Sequence, residues 1–194
     1  MFYKHKYFKI TTLTLFFLIF IKCSNNQLQN NNKIIYSPIG IIHSSFNTET
    51  GAPRQGILMP ETKGEIEIFK PYREALQTLD EFEYIIVLYH FDKVKTWESH
   101  VNPPASTHEH DFGLFSTRSP KRPNPIGLSI VKLESINDGI LHVSGVDAFE
   151  GTPVLDIKPY LPSVDCIKSK QNEEVEKELG HHDEIFITDS SFYR

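Results

Sequence analysis

The sequence predicts a mainly β protein, one barrel or sandwich carrying short helices. Two observations carry that expectation: from Ile34 onward strand-length apolar stretches alternate with Gly, Pro and Asn punctuation, and no internal period suggests repeats. A chain of 194 residues is also of single-domain size, so one core with appendages is expected. Hydrophobic residues make up 39% and charged residues 23%, which supplies enough apolar side chains for that core.

Residues 1–22 differ in kind from the rest. Lys4, Lys6 and Lys9 precede an apolar run from Ile10 to Ile21, the layout of a secretory signal. The run falls short of the roughly 20 residues a helix needs to span hydrocarbon. Cys23 stands where a lipoprotein signal places its lipidated cysteine, although Lys22 replaces the small residue such signals use before it. Residues 23–33, rich in Asn, read as a solvated tether. Loss of residues 1–22 removes four lysines and no acid, leaving 16 basic against 25 acidic side chains, so the formal charge moves from −5 to −9. Any nucleic-acid surface must therefore be a local patch, because phosphate binding depends on Lys and Arg.

A β domain is expected over residues 34–165. Ile39–Ser44 reads as a first strand, and Glu65–Phe69 alternates polar and apolar as a half-buried strand does. Pro71 opens a short helix whose Ala75, Leu76 and Leu79 share a face. Tyr84–His90, with four continuous apolar residues, is expected to be a strand buried on both sides. Thr96–Asp111 reads as a long loop, of the length usually functional or disordered. Strands resume at Ile126–Leu133, Ile140–Val146 and Val154–Ile157, and Asn137-Asp138-Gly139 signals a hairpin between the first two. Residues 166–194 are read as a charged helix over Gln171–Leu179, stopped by Gly180, and a tail with an edge strand over Glu184–Thr188.

The segment Gly113–Ser129 carries the least ordinary chemistry. Its prolines 120, 123 and 125 fix φ and remove amide donors, so the chain there is a rigid loop between strands. Arg118, Lys121 and Arg122 on that loop read either as an anion-binding platform or as a solvated basic turn. His108-Glu109-His110 offers two imidazoles without a third ligand at a telling spacing, so a solvated loop is expected and no metal. His181-His182 reads the same way. Trp97 is expected to be a packing anchor. Cys23 and Cys166 make no disulfide framework.

Gly113–Ser129, with its Arg-Pro-Asn-Pro-Ile-Gly core, resembles the signature of the TsaA/TrmO family. Ser37–Ser44 is similar to the family's opening strand, Pro53-Arg54-Gln55 to its early cofactor motif, and Glu150–Pro162 to its closing motif, all in the family's order. The resemblance implies a single antiparallel β-barrel that binds S-adenosyl-L-methionine, pairs as a homodimer and methylates N6 of threonylcarbamoyladenosine beside the tRNA anticodon. It places cofactor contacts on Pro53, Arg54, Gln55, Phe91, Asp92, Arg118, Leu128, Glu150, Gly151, Thr152 and Pro153. Glu150 stands where the family pattern has Asp, which keeps the charge and adds a methylene, and Asp92 departs from the family's common residue. No general base is assigned, since Asp156 and Glu150 are equal candidates. With little chain beyond Tyr160, the C-terminal substrate domain of longer members is not expected.

The leader sets up a second expectation: an exported relative, tethered to a membrane through Cys23, that binds a small molecule without methylating tRNA. A methyltransferase for a small substrate is a third.

Overall fold

A computed structural model of the chain describes residues 33–102, 111–167 and 187–188. The chain divides into two compact units, Met1–Tyr36 and Ser37–Arg194. In the first unit only Lys33–Tyr36 is described, without regular structure and with Ile34, Ile35 and Tyr36 exposed. The leader, Cys23, His108, His110, His181, His182 and the helix expected over Gln171–Leu179 lie outside the described residues, as does the tether but for Lys33. No helix among the described residues is long and apolar enough to cross a membrane.

The second unit is built on β1 (Gly40–Ser44), β2 (Ala52–Pro53), β3 (Lys63–Ile68), β4 (Tyr84–His90), β5 (His100–Val101), β6 (Phe112–Gly113), β7 (Ile126–Asn137), β8 (Ile140–Ser144), β9 (Thr152–Pro159) and β10 (Ile187–Thr188). Six of these close a barrel in the order β1-β3-β8-β7-β4-β9, with β9 returning to β1. Every neighbouring pair is antiparallel. Closure decides between the two architectures left open by the strand signals, and it removes the free edges an open sheet would expose.

Alternation fills the barrel. Ile66 and Ile68 of β3, Ile85, Val87 and Tyr89 of β4, Val131 and Leu133 of β7, and Leu141 and Val143 of β8 all point inward and are buried, joined by Ile42 and Val154. Each such aliphatic side chain stabilises the fold by about 1.5–3 kcal/mol relative to exposure. Strand β4 is not buried on both sides as its continuous apolar run suggests. Its residues alternate, with Ile85, Val87 and Tyr89 inside and Tyr84, Ile86 and Leu88 on the outer face. Of these, Ile86 and Leu88 are half-buried, and opposite them on β7 Ile126, Leu128 and Ile130 are exposed, Leu88 facing Leu128 and Ile86 facing Ile130.

The hairpin over Asn137-Asp138-Gly139 joins β7 to β8, with Asp138 at φ 47° and Gly139 at φ 79°. Two consecutive left-handed residues are what a tight hairpin requires, and Gly139 takes the second without a Cβ penalty. Strand β7 runs to Asn137, four residues past its expected end. The segment opened by Pro71 is a 3-10 helix, Lys70–Leu76, followed by a second over Leu79–Glu81. With three residues per turn the helical face breaks: Leu76 and Leu79 pack on the barrel while Ala75 is exposed. Within the expected long loop Thr96–Asp111 runs β5, which pairs with β6 just past the loop's end. At the far end, α1 (Pro162–Asp165) follows β9, and the returning edge strand is the two-residue β10, paired with β2.

Candidate cofactor site

Pro53 is buried on β2, and the chain leaves it through Arg54 and extended Gln55 into a 3-10 turn over Gly56–Leu58. The Gln55 amide donates to the Arg54 carbonyl at 2.6 Å, and its side-chain oxygen accepts from Arg118 Nη1. Two segments 63 residues apart therefore meet here. The three cations of the proline loop divide their work. Arg122 donates to the carbonyls of Thr117 (3.0 Å) and Ser119 (3.3 Å) and so braces the loop from inside, while Lys121 pairs with Glu98 at 2.8 Å. Exposed Arg118 is the one that reaches the Pro53 turn.

A shallow cavity opens beside the Asp147 carboxylate, which accepts the N–H of Gly56 from that turn. Phe91, Asp92 and Thr152 line it, with Asp147 and Phe149. The Phe91 ring stands edge-on to Tyr89, centroids 5.2 Å apart, which fixes its direction. Asp92 pairs with Lys93 at 2.6 Å.

Asp147 escaped the sequence reading. It is partly exposed, yet its carboxylate collects donors from three separate parts of the chain: Gly56 N–H at 2.8 Å, the Ser129 hydroxyl, and the Tyr89 hydroxyl at 3.5 Å. Burial is the largest influence on this carboxyl and outweighs those donors, pushing its pKa up to about 6. The signal for it was present: an acid set between Val146 and Ala148-Phe149 is a carboxylate drawn into apolar surroundings.

Glu150, three residues on, faces outward. It accepts from His43 Nδ1 at 2.9 Å and from Ser44 N–H at 2.8 Å, while His43 Nε2 meets Glu67 at 3.3 Å. Both ring nitrogens can donate only in the imidazolium. The Glu150 bond is the largest influence and, joined by the Glu67 bond, holds the His43 pKa above its usual value against burial, which ranks second and lowers it. Burial raises the Glu150 carboxyl, but His43 and Ser44 together outweigh it and leave it below the usual range. Asp156 is likewise engaged, with Lys158 at 2.6 Å and the Ile157 amide at 2.9 Å.

The structure thus brings Pro53, Arg54, Gln55 and Arg118 together as one group, and Phe91, Asp92 and Thr152 as a second. Gly151 and Pro153 connect the second group to Glu150 and β9. Leu128 belongs to neither, since it is half exposed on the outer barrel wall and does not line the cavity. No cluster of three metal-ligating side chains occurs among the described residues.

Comparison with known proteins places this arrangement. The family model for the tRNA-methyltransferase O N-terminal domain matches residues 41–166. The chain belongs to the tRNA-methyltransferase O family. An S-adenosyl-L-methionine-binding protein of Archaeoglobus fulgidus is 41% identical over 141 residues, 73% of this chain and 99% of that one. A probable S-adenosyl-L-methionine-binding protein of Pyrococcus abyssi is 44% identical over 132 residues, covering 68% and 71%. The rat tRNA (adenine(37)-N6)-methyltransferase is 36% identical over 166 residues, but the chain spans only 37% of its length. The crystal structure of TrmO from Pseudomonas aeruginosa superposes with a TM-score of 0.61 at 37% identity, covering 72% of this chain and 61% of that one. The family's cofactor is S-adenosyl-L-methionine, and the residues present fit it: aromatic Phe91 and Phe149 with a carboxylate at the cavity, and the Arg118 guanidinium fork on the proline loop where it meets Gln55.

Proposed function

We propose that this tRNA-methyltransferase O family member transfers a methyl group from S-adenosyl-L-methionine to N6 of threonylcarbamoyladenosine next to the tRNA anticodon. The observation that supports the reading most is the double attachment of the Pro53 turn, whose Gln55 meets Arg118 while the following Gly56 gives its N–H to Asp147 in the wall of the Phe91–Thr152 cavity. When bound, the cofactor supplies an electrophilic methyl group on a sulfonium. The chain's own task is then alignment. Arg118 offers a planar fork suited to a carboxylate or a phosphate, held in direction by Gln55. Phe91 and Phe149 give the cavity apolar walls, and Asp92, which also lines it, is paired with Lys93 at 2.6 Å. Both acids first considered as bases are already engaged, Glu150 by His43 and Ser44 and Asp156 by Lys158. Mass spectrometry of tRNA nucleosides from a deletion strain tests the reading. Loss of the N6-methyl form of threonylcarbamoyladenosine is expected, and an unchanged nucleoside profile overturns it.

The homodimer fits the same reading. Ile126, Leu128 and Ile130 are 42%, 48% and 45% exposed on one face of β7, an apolar stripe beside outward-facing Ile86 and Leu88 of β4 that a second copy would cover. Sedimentation of the Leu128→Glu chain as a monomer beside a dimeric parent is the expected result.

The leader supports a second reading, in which the barrel is tethered outside the cytoplasm through Cys23 and keeps cofactor binding without acting on tRNA. Its test is fractionation. Lipid-modified protein beginning at Cys23 in membranes favours this reading, and unprocessed protein in the cytoplasm favours the tRNA enzyme.

A further inference from the structure

Asp147 stands where the segments that identify the family touch. Gly56, the residue directly after Pro53-Arg54-Gln55, gives its N–H to Asp147 Oδ2 at 2.8 Å, and its backbone lies so close to Gly145 that a Cβ on Gly56 would come 1.9 Å from the Gly145 carbonyl oxygen. The end of the turn is therefore pressed onto the stretch that carries Asp147. From the other side, the Ser129 hydroxyl donates to Asp147 Oδ1, and Tyr89 reaches the same oxygen at 3.5 Å and Ser129 Oγ at 3.0 Å. Tyr89 takes that position because Gly127 faces it across the sheet; a Cβ on Gly127 would lie 2.2 Å from the Tyr89 ring. Gly127 and Ser129 of the proline-loop signature thus build one side of the carboxylate's cradle, and the cofactor turn closes the other. Asp147 also lines the cavity of Phe91 and Thr152.

We propose that Asp147 is a positioning residue for cofactor binding, anchoring the Pro53–Gly56 turn to the barrel mouth through the Gly56 amide while Ser129 and Tyr89 hold its carboxylate in register. This rests on the reading of that turn as a cofactor contact. The anchor works through an acceptor oxygen at Oδ2, so an amide side chain can replace it and an alanine cannot.

The experiment uses the full chain and two readouts: amide hydrogen exchange of the peptide spanning residues 53–60 without cofactor, and S-adenosyl-L-methionine affinity by calorimetry. A buried amide left without its acceptor opens about tenfold or more often. Asp147→Ala is expected to speed exchange in that peptide by about tenfold and to weaken cofactor binding by a similar factor, with β3 and β7 peptides unchanged. Asp147→Asn is expected to restore both to within about threefold of the parent. Ser129→Ala, which strips one donor and leaves the anchor oxygen, is expected to fall between and keeps the test decisive if Asp147→Ala does not fold. Unchanged exchange in the alanine variants, or acceleration spread evenly over the barrel, overturns the anchoring role. A parent chain that binds no cofactor overturns the function given to the turn, whatever the exchange shows.

Discussion

Asp147 and Glu150 lie three residues apart on the segment between β8 and β9, and their surroundings drive their carboxyls in opposite directions. Asp147 turns into the barrel mouth, where burial outweighs its donors and pushes its pKa up to about 6. Glu150 turns out to the surface, where His43 and Ser44 outweigh burial and draw it below the usual range. The pair shows that which acid a segment spends on structure and which it leaves near solvent is set by tertiary surroundings. Both acids reach back to an early part of the chain: Asp147 to Gly56, Glu150 to His43 and Ser44.

The largest expected effect follows from Asp147. Its folded pKa lies above the ordinary carboxylate value, so the folded chain holds this proton more tightly than the unfolded one. Stability from this group is therefore lost as pH rises from about 4 to about 6, by up to about 3 kcal/mol. Asp147→Asn abolishes the titration while keeping the shape. The melting temperature of the variant relative to the parent should climb across that window and then level off. A constant difference from pH 4 to pH 7 would mean that Asp147 is no more burdened than Glu150, and the contrast would vanish.

Gly56→Ala sharpens the contrast from the backbone side. The new methyl meets the Gly145 carbonyl, and neither is a flexible side-chain end. A loss of about 1–3 kcal/mol in chemical denaturation is expected, the range of overpacking. A neutral result would show that the turn stands off the Asp147 stretch.

Arg118→Ala should separate binding from stability. Arg118 is exposed and braces nothing but Gln55 among the contacts described, so stability should change by under about 0.5 kcal/mol. Cofactor affinity should fall about tenfold, the worth of a charge-assisted hydrogen bond. Unfolding with intact binding would make it a structural residue like Arg122.

The smallest effect belongs to the exposed half of the comparison. In an NMR titration His43 should lose its proton above its ordinary value, and Glu150→Gln should lower that midpoint more than Glu67→Gln, because the Glu150 bond is the larger influence. Whatever stability His43 adds is present below its ordinary pKa and lost as pH rises through the raised one. Its surroundings are wet, so the thermal effect should be slight. Equal shifts from the two variants would remove Glu150's special place.

Much of this was legible before the structure. Alternation at Glu65–Ile68 and the Asn137-Asp138-Gly139 turn give strands and a hairpin because local chemistry decides them. The β4 run was misread because a barrel wall that presents Ile86 and Leu88 outward carries no local mark of its exposure. Pro71 marked a helix start correctly, but nothing in the sequence separates an α from a 3-10 turn there. At the site, Pro53-Arg54-Gln55 and Arg118 were legible as motif residues. Asp147 showed only as an acid among apolar neighbours, since its role arises where Gly56, Ser129 and Tyr89, far apart in sequence, reach one carboxylate.

The central claim is that these segments form a single S-adenosyl-L-methionine site. Calorimetry of the full chain with that cofactor tests it most directly. Saturable binding, weakened by both Arg118→Ala and Asp147→Ala, is the predicted result. No heat of binding at a cofactor concentration on the order of 1 mM would contradict it.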